Sequence, residues 1–150
     1  MAAQAWTLYD RAIHKIGAGT ISFPGAIRMV LVGSASNFAT GSLILLGSLT
    51  DQVTEANGYS SSGKALTGEA WTAGASSGQI KLDANDPTWT ATGGAINSIK
   101  AAVLVMSGAS ANAMHLLAYA SLTSNAFNLS SGNTLTVQFN ASGIFTAANG

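Results

Sequence analysis

Two stretches constrain this chain more than anything else in it. Residues 26–32 (AIRMVLV) and 99–106 (IKAAVLVM) are almost unbroken apolar runs, and Gly, Ser and Asn recur in the segments between such runs. Each run is far shorter than the roughly 20 residues of a bilayer-crossing helix and lacks the three-and-four spacing of an amphipathic one. Such runs suit strands buried on both faces at the centre of a sheet. A third segment alternates as a half-exposed strand should, with Leu135, Val137 and Phe139 set against Thr134, Thr136, Gln138 and Asn140. Residues 64–73, 79–82 and 116–121 are further strand candidates, separated by turns at 74–78, 107–112 and 130–133. Turn signals recur about every ten to fifteen residues, and no internal repeat is visible. The expectation is one all-β domain over residues 1–150, a β-sandwich or jelly-roll-like fold.

Helical spacing occurs at the start, where Trp6, Tyr9, Ile13 and Ile16 form one apolar stripe opposite Asp10, Arg11 and Lys15. The reading is a short helix or arm over residues 1–17, ended by Gly17 or Gly19. No apolar stretch of signal-peptide length lies in this segment, so none is expected. Residues 40–59 read as an excursion from the sheet. Within it Leu43, Ile44, Leu45 and Leu46 suit either a buried strand or a helical turn.

Charge then narrows the function. Six Lys and Arg balance six Asp and Glu, and charged residues make up 8% of the chain against the roughly 25% typical of soluble domains. Ala, Gly, Ser and Thr fill 76 of the 150 positions, so much of the surface is small and neutral. A nucleic-acid partner needs a basic footprint that this sequence lacks. A neutral chain is instead prone to associate, because charges taken to an interface must be desolvated and paired. Without cysteine there is no disulfide, thiolate metal site or cysteine nucleophile.

The literal catalytic motifs lack their context. Gly74-Ala75-Ser76-Ser77-Gly78 fits G-x-S-x-G, but a strand-like segment follows where a nucleophile elbow needs a helix. Ser61-Ser62-Gly63-Lys64 fits S-x-x-K, yet Gly58 and Gly63 mark a loop. Of the two bases with near-neutral pKa, His14 has Asp10 four residues earlier as a surface pair, and His115 opens an apolar strand. Asp83, Asn85 and Asp86 are the densest oxygen ligands. Pro87 and Thr88 break the calcium-loop pattern after them, so a turn ahead of Trp89 is expected. Asn128 and Asn140 sit in glycosylation sequons that carry meaning only in a secreted chain. Trp71 and Trp89 suit either a core or a sugar-stacking face. No cofactor or metal is expected, and no enzymatic activity.

In order along the chain, a Trp-bearing segment at 5–16, the strand at 27–32, Glu55-Ala56-Asn57-Gly58-Tyr59 with Gly63, the acidic segment LDANDPTW at 82–89, the strand at 99–106 and the terminal LTVQFNASGI at 135–144 resemble a family of small virion structural proteins of tailed bacteriophages. The resemblance covers nearly the whole chain. It implies a non-enzymatic particle component assembled in the host cytoplasm, foremost a capsid decoration (cement) protein bound to the major capsid protein. A tail component (tube, terminator or tip) and a glycan- or receptor-binding module are the alternatives. By the same analogy the chain forms a closed homo-oligomer, a trimer at a local threefold, with no nucleic-acid or membrane partner. Trp6, Tyr9 and Ile13 are the expected interface anchors.

Overall fold

The computed structural model describes residues 1–21 and 26–148. In chain order the elements are β1 (Thr7–Leu8), α1 (Asp10–Gly17), β2 (Ile27–Val32), a 3₁₀ turn (Leu46–Ser48), β3 (Lys64–Ala65), β4 (Ala70–Ala73), β5 (Gln79–Asp83), β6 (Thr88–Thr90), β7 (Ile96–Ile99), β8 (Ala101–Met106), β9 (Leu116–Ser121), β10 (Phe127–Leu129), β11 (Thr134–Thr136) and β12 (Phe145–Ala148). This is the expected all-β class with a short helix near the N-terminus.

The two apolar runs lie where their composition puts them. β8 pairs antiparallel with β2 on one side and β9 on the other, in a five-stranded sheet of order β1-β9-β8-β2-β3. Alanines take several positions in these ladders. Leu31 faces Ala102, which faces Ala120, and Leu104 faces Ala118. This lets the strands lie beneath other elements without leaving voids. Val30, Leu31, Ala102, Val103 and Leu104 are wholly buried. A second sheet has the order β12-β5-β4, and two-stranded ladders join β10 to β7 and β11 to β6.

Several boundaries differ from the sequence reading. The run at 99–106 is two strands, broken at Lys100. β7 belongs to β10, whereas β8 belongs to the five-stranded sheet. Ser98 takes a positive φ of 59° there, and three residue steps of β7 oppose two of β10. The bulge turns the chain from one ladder to the other. The segment 64–73 is likewise two strands, β3 and β4, on different sheets. Residues 1–9 are an extended arm. Met1 O accepts the Gln138 N–H, Gln4 donates to Ser121 O, and β1 pairs with β9. The helix begins only at Asp10, so Trp6 and Tyr9 do not share a helical stripe with Ile13, and Ala12 is its fully buried residue. It ends at Gly17, with the Gly19 N–H returning to Ile16 O.

The segment expected as an excursion at 40–59 lies within a longer stretch, residues 33–63, with no strand between β2 and β3. Leu45 makes an isolated bridge to His115, and Leu46 opens the 3₁₀ turn and is buried. The excursion is pinned by a two-residue turn in which Asn57 and Gly58 both have positive φ and the Tyr59 N–H returns to Ala56 O at 2.9 Å. A side chain on Gly58 would meet Thr90 O at 2.5 Å, so both conformation and space demand glycine. The turn sends Tyr59 into the core, where its hydroxyl accepts the Leu31 N–H at 3.0 Å and the Gln52 amide at 3.2 Å.

Candidate functional site

The catalytic motifs are dispersed. Ser76 lies in the exposed turn of the β4–β5 hairpin, which the Gly74 N–H closes onto Gln79 O at 2.8 Å. Ser61 Oγ donates to Glu55 at 2.6 Å, whereas Lys64 turns to the carbonyl of Thr88, so the S-x-x-K pair is not assembled. His14 is exposed on α1, and no hydrogen bond or ion pair joins it to Asp10 among the described residues. His115 Nε2 meets Lys15 Nζ at 3.1 Å. Asp83 pairs with Lys81 at 2.9 Å, Asn85 Nδ2 donates to Thr67 at 3.2 Å, and Asp86 accepts the Phe139 N–H at 2.8 Å. The three polar side chains of the acidic segment thus fasten three different pieces of chain. Asn128 and Asn140 serve similarly, accepting the Ser98 and Ser142 N–H groups.

Of the expected interface anchors, Tyr9 is corrected outright. It has no exposed surface, its hydroxyl donates to Phe38 O at 2.7 Å, and its ring packs 5.1 Å from that of Tyr119. Burial also raises its pKa far above that of a free phenol. It closes the core because the extended arm, unlike a helix, points it beneath β9. Trp6 is half-buried against Phe139, with ring centroids 5.7 Å apart. Ile13 stands 55% exposed and is the free apolar side chain of the three. Trp89 is buried in the core, which removes it from any sugar-stacking pair with Trp71.

Ile13 borders an apolar groove of about 450 Å³ between α1 and the β12-β5-β4 sheet. Leu8, Ile16 and Ile21 line it on the α1 side, and Ile80, itself 47% exposed, lines the sheet side. Among the described residues, no charged one lines it. Among the described residues, the other exposed large hydrophobic side chain is Met1, so these two together make the groove an open apolar feature.

The charges have a second pattern, invisible in the sequence. Nine of the twelve charged side chains hold a main-chain group of their own fold. Asp51, Glu55, Glu69, Asp83 and Asp86 accept the N–H groups of Ala35, Ser61, Ile27, Ala84 and Phe139. Arg28, Lys64, Lys81 and Lys100 donate to the carbonyls of Gly63, Thr88, Ala141 and Ser124. The Glu55 carboxyl is held below the ordinary carboxylate pKa by its hydrogen bonds from Ser61. Lys81–Asp83 is the one ion pair among the described residues.

A polar cavity of about 320 Å³ lies between Asp51, Gln52, Asn57 and the bulged strand at Asn97 and Ser98. Asp51, Asn57 and Ser98, the non-glycine residues with positive φ among those described, all line it. Asn57 belongs to the two-residue turn and Ser98 to the bulge, so local geometry accounts for both. No family model, no curated protein and no solved structure matches this chain.

Proposed function

We propose that this chain is a non-enzymatic structural protein of a tailed-phage particle, a decoration protein that binds the major capsid protein and copies of itself on the outside of the shell. The observation that carries the reading is the internal use of charge. Nine of the twelve charged side chains are committed to main-chain groups of the same molecule, and the groove beside Ile13 and Ile80 offers a partner a surface with no charged lining among the described residues. Such a surface approaches another protein without the cost of stripping water from unpaired charge. It suits neither a polyanion nor chemistry that relies on a free acid and base. The order of segments resembling small virion proteins supports the same reading, and a trimer on a local threefold is the arrangement that goes with it.

A decoration protein acts by repetition. Each copy adds a modest contact, about 800 Å² per partner at standard size, and many copies on one lattice sum to a large stabilisation of the shell. The groove beside Ile13 and Ile80 supplies an apolar centre for such a contact. The test is the copy number per purified particle, with rebinding of the chain to shells assembled without it. Occupancy that saturates at hundreds of copies, with bound shells resisting heat better than bare ones, is expected. A count of about three, six or twelve would move the protein to the tail, and no association with particles would end the reading.

A further inference from the structure

The contact between Lys15 and His115 is chemically one-sided. An ammonium has only protons to donate, so at 3.1 Å the His115 Nε2 must accept, which requires a neutral ring with its proton on Nδ1. Once protonated, the ring has two donors and no acceptor, and two positive charges face each other at the same place. The Ile44 backbone favours the charged ring, but burial and the Lys15 charge outweigh it. The elements packed around His115 are residues 37–50, the loop at 107–114 and β9, and none of these contains Asp, Glu, Lys or Arg. From α1 the charged group that acts on the ring is Lys15. The Nδ1 atom is buried without a hydrogen bond of good geometry, so it has little solvent to share a second charge with.

The N-terminal end of α1 is tied to β9 through β1 and Tyr9, and the contact adds a tie at the helix's other end. Lys15 lies in the last turn of α1, and His115 precedes β9 and bridges to Leu45. We infer that Lys15 and His115 form an acid-released latch, which holds the C-terminal half of α1 against β9 while His115 is neutral and lets it go when the ring takes a proton. Release moves Ile13 and Ile16, so the α1 wall of the apolar groove changes with pH. The ring's burial and the Lys15 charge both depress its affinity for a proton below the ordinary His value of 6.5, which keeps the latch closed at neutral pH.

The sign follows from linkage. The closed form binds one proton fewer than the open form below the ordinary His pKa. Closure is therefore fully favoured above about pH 6.5 and weakens as pH falls, until the closed form also titrates, by at most about tenfold per pH unit for one proton. Hydrogen exchange of the full chain, corrected for intrinsic rates and compared between about pH 7.5 and about pH 5, tests it. The α1 amides should open more at acid pH while those of β2 and β8 stay protected. His115→Gln, whose amide oxygen accepts from Lys15 and does not titrate, should abolish the pH dependence, and His14→Gln should retain it. The His115 ring in the unmodified chain should titrate below 6.5 by NMR. An α1 whose protection ignores pH, a pH dependence that survives His115→Gln or vanishes with His14→Gln, or a ring midpoint at or above 6.5 would each overturn the latch. The ring titration decides the matter if His115→Gln does not fold.

Discussion

Single polar groups in this protein fix the main chain where no strand partner does. Tyr59 is the clearest case. On the side of β2 away from β8, residues 33–63 leave little ladder beyond Lys64–Ala65, and the Tyr59 hydroxyl stands in by accepting the Leu31 N–H. Its burial raises the phenol pKa, so the group stays a neutral donor and acceptor. Tyr59→Phe keeps the ring and strands the Leu31 N–H in the core. The expected loss is about 1–3 kcal/mol, read as a lower denaturant midpoint with an unchanged m-value. An unchanged midpoint would mean that water reaches the site. Asp86 does the same for Phe139 at the surface. The sequence marks these residues only as a turn-forming Asp and a tyrosine after Asn-Gly. Their partners lie 28 and 53 positions away.

At the scale of elements, the periodicities name the strands and fail at the junctions. The alternation of Leu135, Val137 and Phe139 is real, with the first two buried. Yet the ladder with β6 covers only Thr134–Thr136, after which Val137 donates to Pro87 O and Gln138 bridges the N-terminal arm. The strand changes partners without changing the face it buries. Val137→Asp therefore places an unpaired charge in the core and should cost several kcal/mol, a large share of a domain's stability. Insoluble or unfolded protein is the expected result, and a folded, soluble variant would show that this segment is peripheral. Lys100 marks the same kind of hand-over between β7 and β8. An apolar run records burial and not which neighbour supplies it, so both strands read as one.

The whole molecule exposes 7078 Å², about what the surface scaling of compact monomers gives for 15.1 kDa. Its core is complete without a partner, and any assembly must use surface that the monomer leaves free. Binding to a shell should then hardly change as salt shortens the Debye length from about 30 Å at 0.01 M to about 8 Å at 0.15 M, because no charged residue among those described lines the groove that makes the contact. Ile13→Ser with Ile80→Ser, both at exposed positions, should leave the melting temperature nearly unchanged and weaken particle binding by about 2–4 kcal/mol, the range of interface hot spots. Full binding by this variant, or a steep fall of wild-type binding with salt, would place the contact elsewhere on the surface.

The sequence by itself determined the all-β class, the central strands, a helix end at Gly17 or Gly19 and the absence of a basic footprint, because burial, period and net charge are properties of the chain read in order. Tertiary structure alone decided that residues 1–9 run extended along β9, that Tyr9 goes inward while Ile13 goes out, and that Lys15 meets His115. It also decided that nine charges are turned onto the protein's own backbone. Each of these depends on which main-chain groups lack a ladder partner and which distant segment passes close enough to satisfy them, and spacing along one chain holds no record of that.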